Sequence, residues 1–172
     1  MPQGRGQGWE EKIQQPALRR FLDERGWKCT EYELDMTDFK KLKHVGNARP
    51  DFLVDHGAFY ELIECKNWNH PTFKIAAALG QALVYRALMR MKGETKEIHL
   101  SLCFVNGYGD QEGGDWTSAH DALLRGLSSS CGEPIGLYLV QPVRPEYAAI
   151  EHLWDPEKHH ASQRLCVGEN RQ

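Results

Sequence analysis

The spacing of apolar residues predicts a helix near the start of the chain. From about Gly8 to Arg25, apolar side chains recur every three or four positions, which is the repeat of one helical face. Pro16 falls inside this segment and predicts a kink or a division into two helices, because proline lacks a backbone donor. Gly26 supplies the expected end of the helix. The apolar positions of this face are Trp9, Ile13, Ala17, Leu18, Phe21 and Leu22.

Extended and helical patterns then follow one another along the rest of the chain. Alternation predicts an edge strand at residues 27–34, and two short apolar runs joined at His56-Gly57 predict a hairpin. The Ala-rich segment 73–91 is apolar on most sides, which predicts a largely buried helix. The tail after Pro145 is expected to begin as a helix. The other predicted elements are strands at 52–54, 59–65, 97–105 and 135–140 and a weaker helix at 116–127.

This order of elements predicts a single-domain α/β fold. The chain has 172 residues, which suits one domain with a sizeable core. Strands interleaved with helices indicate a mixed central sheet of four to five strands flanked by helices, and the hairpin means that the sheet is not purely parallel. We expect one domain over residues 1–172, with its core at about 9–140 and a C-terminal extension at about 145–172.

Composition narrows the class of protein. The net charge is −3, which argues against a protein that coats DNA but is compatible with an enzyme that meets DNA through one basic face. The five cysteines form no CxxC pair, which argues against a disulfide framework or a zinc knuckle and favours a reducing, cytoplasmic setting. No apolar run is long enough to predict a membrane-spanning helix, and the Gly- and Gln-rich first residues are not typical of a secretory signal.

The residues with the clearest chemical implication lie on the predicted hairpin. On a strand alternate side chains share a face, so Glu64 and Lys66 point the same way, and the antiparallel return of the chain brings Asp51 close to Glu64. Two carboxylates held close repel each other unless a cation lies between them, and Mg²⁺ with its oxygen ligands suits that place. Lys66 could orient or deprotonate a metal-bound water, or neutralise a phosphate. This set of groups suits phosphodiester hydrolysis. The simpler alternative to a catalytic site is an ordinary Glu64–Lys66 pair with Asp51 in a turn.

The hairpin resembles the signature of the PD-(D/E)xK nuclease superfamily, which here reads Pro50-Asp51, twelve residues, then Glu64-Cys65-Lys66. The resemblance covers more than half of the chain and includes the order of elements, since that family has an αβββαβ core around a mixed sheet. It implies a restriction-endonuclease-like fold and a Mg²⁺-dependent deoxyribonuclease, with Mn²⁺ as a substitute metal. It also implies that Asp51, Glu64 and the backbone carbonyl of Cys65 bind the metal and that Lys66 is catalytic.

Two further positions extend this resemblance. Gln81 and Tyr85 resemble the QxxxY motif of the RecB-type branch, which implies roles in catalysis, and their spacing puts them on one helical face. The alternative is a core tyrosine with a polar neighbour. Many members of the superfamily also carry an acidic metal ligand on the first helix, for which Glu11 is the candidate here and Glu10 the runner-up. Either residue could equally be a solvated charge in a first turn.

The resemblance leaves three alternatives open. DNA is the expected partner and no membrane is expected, but an RNA-directed nuclease would use the same metal chemistry. A nuclease-fold subunit that binds or assembles without cutting is the second alternative, although Asp51, Glu64 and Lys66 are all present. Endonuclease and exonuclease activities both stay open. A homodimer or larger assembly is one way for so small a chain to recognise a nucleotide sequence.

Overall fold

The structure, a computed structural model, describes residues 14–30, 50–66, 71–105, 116–144 and 147–152. The described helices are α1 (Gln15–Glu24), α2 (Pro71–Met91) and α3 (Ser118–Cys131). The strands are β1 (Lys28–Cys29), β2 (Phe52–Asp55), β3 (Phe59–Lys66), β4 (Glu97–Val105), β5 (Gly136–Arg144) and β6 (Tyr147–His152). None of the described helices is both long and apolar enough to cross a membrane.

The strands form one mixed sheet with the spatial order β1-β2-β3-β4-β5-β6. The pairs β3–β4 and β4–β5 are parallel, because α2 and α3 provide the crossover connections, whereas β1–β2, β2–β3 and β5–β6 pair antiparallel. The predicted α/β fold with a mixed central sheet is therefore confirmed. The sheet is one strand wider than predicted, since the C-terminal β6 adds a strand at the edge beside β5.

Helices cover both faces of this sheet and produce two hydrophobic cores. One core lies between the sheet and α2 with α3, and the other lies between the sheet and α1. Strand β3 serves both, since Leu62 enters the first core while Ile63 and Cys65 enter the second. Because helices cover both faces of the sheet, nearly every residue of β3 and β4 is buried, rather than every second one.

One local prediction was wrong. Residues 147–152 form a strand rather than the start of a helix, because β5 offers an edge with which their backbone pairs, and the half-buried Ile150 packs against the α1-side core. Pro16 lies in the first turn of α1, where its missing N–H has no helical acceptor. Residues 8–13 lie outside the described residues, so the kink or division at Pro16 stays a prediction. The predicted strand at 27–34 is present at the sheet edge as β1; residues 31–34 lie outside the described residues.

Candidate active site

The hairpin of β2 and β3 has the register that the sequence predicted. Phe52 pairs with Ile63, so Asp51, which precedes Phe52, comes beside Glu64 at the C-terminal end of β3. The Asp51 side chain faces this strand end, because its Oδ2 accepts a hydrogen bond of 2.8 Å from the backbone N–H of Cys65. The carboxylate of Asp51 is thus held at the strand end that carries Glu64 and Lys66, the two residues with which it is expected to act.

Glu64 and Lys66 form a largely buried ion pair at the same strand end. The Nζ of Lys66 donates a hydrogen bond of 2.6 Å to Oε1 of Glu64, whose side chain is only 2% exposed. Burying two charges costs several kcal/mol per ion, about as much as their attraction returns, so such a pair seldom stabilises a fold. The Glu64–Lys66 pair of the simpler alternative is therefore present, and its glutamate is buried.

Burial also shifts the pKa of Asp51. Removal of the carboxylate from water raises the pKa of Asp51, and the Cys65 N–H and the Lys66 ammonium lower it by less. The Oδ1 atom accepts a further hydrogen bond of 3.0 Å from the side-chain amide of Gln15 on α1. A carboxylate whose charged form is disfavoured in the free protein gains most from a cation at the same place.

We expect Asp51→Asn to raise the melting temperature of the metal-free protein near neutral pH. A folded-state pKa above the unfolded value gives stability below the unfolded pKa and loses it as pH rises through the folded pKa. The neutral asparagine amide does not lose stability as the pH rises, and its oxygen can still accept the hydrogen bond from the Cys65 N–H. Melting curves between about pH 4 and 8 test this, with the exposed Asp23→Asn as the matched control. An Asp51→Asn protein less stable than wild type at neutral pH would contradict the argument.

Gln14 is a site residue that sequence reasoning missed. Its side chain is fully buried, and its Nε2 donates to the carbonyl oxygens of Cys103, at 2.7 Å, and Lys66, at 3.2 Å. Its Oε1 is also enclosed and has no hydrogen-bond partner among the described residues. The signal was available, because Gln14 is in phase with the buried positions Ala17 and Leu18 on the same face of α1.

Among the described residues, the side chain that precedes α1 and contacts the end of β3 is the amide of Gln14. Glu10 and Glu11, the predicted acidic candidates, lie outside the described residues. The Gln14 amide fastens the first helix to the ends of β3 and β4 without adding a charge.

Gln81 and Tyr85 lie on α2, above the same face of the sheet as Glu64. Tyr85 is buried in the core beneath α2, whereas Gln81 is exposed and donates a hydrogen bond of 3.2 Å to the Tyr85 hydroxyl. Burial is the main cause that raises the pKa of Tyr85, and the negative charges of Glu64 and Asp51 raise it further. The Tyr85 hydroxyl is therefore within electrostatic range of both carboxylates, although its ring also fills the core.

Gln81→Ala should impair catalysis more than it impairs the fold. The side chain is exposed, so its removal creates no cavity, but it takes the amide away from the tyrosine hydroxyl that faces the carboxylates. We expect kcat/KM to fall by roughly 10- to 100-fold, the size of one lost polar contact to substrate, with an unchanged melting temperature. Cleavage rates compared with those of Val84→Ala, an exposed neighbour on α2, check this; equal rates would remove Gln81 from the site.

Cys65 contributes through its backbone rather than its thiol. The side chain is fully buried in the α1-side core next to Cys103, and this burial raises the pKa of the Cys65 thiol well above its usual value. A thiol kept neutral inside the core is a poor nucleophile and a poor metal ligand. The opposite orientation of Cys65 and Glu64 is what strand alternation predicted.

The described residues suit a magnesium ion better than a transition metal. Across the described ranges no group of three or more His, Cys, Asp and Glu side chains is arranged to hold a metal. Mg²⁺ does not need such a cage, because it keeps several waters and is commonly held by one or two carboxylates. Asp51 and Glu64 supply that number of carboxylates at the end of β3.

A second buried carboxylate lies on the opposite face of β3. Glu61 is fully buried and accepts hydrogen bonds from Ser101 Oγ at 2.5 Å and from Tyr138 Oη at 2.8 Å, both on its Oε1. Its Oε2 lies 3.0 Å from Nε2 of His56, whose side chain is fully buried too. All its partners belong to the core, so this cluster is a structural feature separate from the candidate site.

Comparison with known proteins identifies no relative of this chain. No family model, no curated protein and no solved structure matches it.

Proposed function

We propose that the protein is a Mg²⁺-dependent nuclease that hydrolyses phosphodiester bonds of DNA, of the PD-(D/E)xK type. The observation that carries this proposal is the grouping of the buried Glu64 with the half-buried Asp51 and Lys66 at one end of β3. Structural needs alone do not explain two carboxylates and a lysine here, because burial disfavours the charge on Asp51 and an apolar pair would fill the place of Glu64 and Lys66. A divalent cation and a phosphate would offset these costs.

Each residue has a role that follows from its contacts. Asp51 and Glu64 would hold the metal, which when bound supplies an acidified water and a positive charge beside the scissile phosphate. Asp51 is kept in place by the Cys65 N–H and by Gln15, so its carboxylate needs no rearrangement to bind. Lys66 is held against Glu64 and has part of its side chain exposed, so its Nζ could neutralise the phosphate as an ammonium or, as a neutral amine, accept the proton of the attacking water.

The neighbouring helices support this arrangement. Gln14 fastens α1 to the carbonyl of Lys66, so the backbone that carries the lysine is tied to the core. Gln81 lies at the exposed edge of α2 and can contact the nucleic-acid backbone, while Tyr85 braces it from below. The acidic net charge restricts contact with nucleic acid to a limited surface near these residues.

A cleavage assay over a panel of substrates tests the proposal. Linear duplex, circular duplex, single-stranded DNA, branched DNA and RNA are each incubated with Mg²⁺, Mn²⁺ or EDTA. We expect metal-dependent cutting of DNA that disappears in Glu64→Gln and persists in the exposed control Glu24→Gln. Cutting of circular DNA would assign endonuclease activity, and cutting of RNA alone would move the proposal to the RNA-directed alternative.

Metal binding gives a second readout that does not depend on finding the substrate. A ligand that binds only the folded state stabilises it by about 2.7 kcal/mol at a hundredfold excess over its Kd. Mg²⁺ or Mn²⁺ should therefore raise the melting temperature of the wild-type protein but not that of Asp51→Asn. Stabilisation without cleavage of any substrate would favour the subunit that binds without cutting, and no stabilisation would contradict the metal site.

A further inference from the structure

The outer surface of α2 carries an unusual line of exposed apolar residues. Among the described residues, the large hydrophobic side chains that are exposed all belong to this helix: Phe73 at 79%, Met91 at 66% and Val84 at 46%. The opposite face of α2 is buried in the core and includes Ala82 and Met89. The helix therefore offers apolar surface on two sides, of which the described part of the chain covers one.

These residues belong to a regular repeat. Exposed apolar positions recur along α2 at alternating intervals of four and three residues, which is the repeat of a helix seam that packs against another helix. We call this line the α2 seam. The α2 seam consists of Phe73, Ala77, Gly80, Val84, Ala87 and Met91.

Gly80 is a second, independent sign that the α2 seam is covered. A glycine in the middle of a helix costs about 1 kcal/mol relative to alanine. Within the described chain nothing requires it, since a Cβ at Gly80 would meet no atom within 4 Å. A glycine at the centre of an exposed seam instead permits the close approach of another backbone.

We propose that the α2 seam is the interface of a homodimer in which the two α2 helices pack antiparallel about a twofold axis at the level of Ala82. Antiparallel pairing places Phe73 against Met91 of the partner subunit and Ala77 against Ala87 of the partner subunit. It also places Gly80 against Val84 of the partner subunit, so the largest central side chain meets the residue without one. A twofold axis repeats each of these contacts, which makes the surface self-complementary.

The area of this surface suits a weak dimer. From Phe73 to Met91 the α2 seam is roughly 27 Å long at 1.5 Å per residue. Two helices packed about 8–10 Å apart over this length bury on the order of 1,000 Å² in total. Specific interfaces need about that much, so we expect association in the micromolar range rather than an obligate dimer.

The charges beside the α2 seam give the dimer a distinctive salt dependence. Helix α2 contains no acidic residue. In the antiparallel pair Lys74 comes level with Lys92 of the partner subunit on the same flank, so like charges face each other at both ends. Added salt screens this repulsion, and the dimer should therefore tighten as ionic strength rises. An acidic partner helix on the same surface would show the opposite dependence.

Sedimentation of the full chain between about 1 and 500 µM tests the interface. We expect the mass to rise from the 19.7 kDa monomer towards twice that value, and Ala77→Glu to weaken association at least tenfold. Ala119→Glu makes the same change at an exposed alanine on α3 and should leave association unchanged. A wild-type chain that stays monomeric throughout, or an equal effect of both variants, would overturn the proposal.

Cysteine cross-linking tests the antiparallel orientation. A mixture of Ala77→Cys and Ala87→Cys should form a disulfide-linked dimer under mild oxidation, whereas each variant alone should not exceed the wild-type chain with its native cysteines. Two copies of position 77 lie roughly 15 Å apart along the helices in this arrangement, beyond the reach of a disulfide. Efficient cross-linking of Ala77→Cys alone would indicate parallel pairing and overturn the proposed geometry.

Discussion

Lys66→Ala is expected to reduce the cleavage rate by about a thousandfold or more, the usual effect of removing a proton-transfer group or a charge that stabilises the transition state. The lysine ammonium donates a hydrogen bond of 2.6 Å to Glu64, and the Lys66 backbone carbonyl is held by Gln14, so the group is positioned before substrate arrives. Single-turnover cleavage with saturating Mg²⁺ measures the chemical step separately from binding.

The same substitution should reveal the link between the lysine and the metal. Without Lys66 the Glu64 carboxylate stays buried beside Asp51 with less positive charge nearby, so the metal-free variant should melt at a lower temperature than wild type. Mg²⁺ would replace the missing charge, so we expect a larger Mg²⁺-induced rise in melting temperature than in wild type. Lys66→Met keeps the packing of the lysine stem and should behave in the same way.

Two results would contradict this account. Full activity of Lys66→Ala would remove the lysine from the mechanism. A loss of activity that also occurs in Lys28→Ala, an exposed lysine on the edge strand β1, would point to general loss of positive charge rather than to a role at the site. Circular dichroism of each variant separates both results from unfolding.

Local patterns were enough to predict most of the candidate site. Strand alternation put Glu64 and Lys66 on one face of β3 and Cys65 on the other, and the turn at His56-Gly57 set the register that brings Asp51 to them. Helical spacing put Gln81 and Tyr85 on one face of α2, and the structure joins their side chains by a hydrogen bond. Such patterns act over a few residues, so they can be read without knowing the rest of the fold.

Contacts between distant segments could not be predicted in this way. The side chain of Gln14 donates to the carbonyl of Cys103, which lies 89 positions further along the chain. Because Gln14 is polar, the apolar repeat of the first helix did not include it, although its position is in phase with that repeat. Residues 147–152 were assigned a helix because nothing local reveals that β5 leaves an edge for them to pair with. In each case the deciding partner lies on another element, and tertiary context overrides local preference.

The contacts of Glu61 could not be predicted from local patterns either. Removing one of them has the largest effect that we expect on the free energy of unfolding. The Glu61 partners Ser101 and Tyr138 lie 40 and 77 positions away along the chain. We expect His56→Phe to destabilise the protein by about 3 kcal/mol, because it leaves a buried carboxylate with one oxygen unpaired. The phenyl ring keeps the stacking of His56 on Phe59, so the loss reports on the polar contact rather than on a cavity.

A double-mutant cycle isolates that contact. Urea unfolding of His56→Phe, Glu61→Gln and the combined variant gives the coupling energy, which we expect to be at least about 1 kcal/mol because the two side chains touch. Glu61→Gln removes the buried charge but keeps an oxygen for Ser101 and Tyr138, so His56→Phe should cost much less in that background. An equal cost in both backgrounds would mean that the two hydroxyl donors alone satisfy the carboxylate. The sheet would then depend on Ser101 and Tyr138, and not on the imidazole, to keep a charge inside the α1-side core.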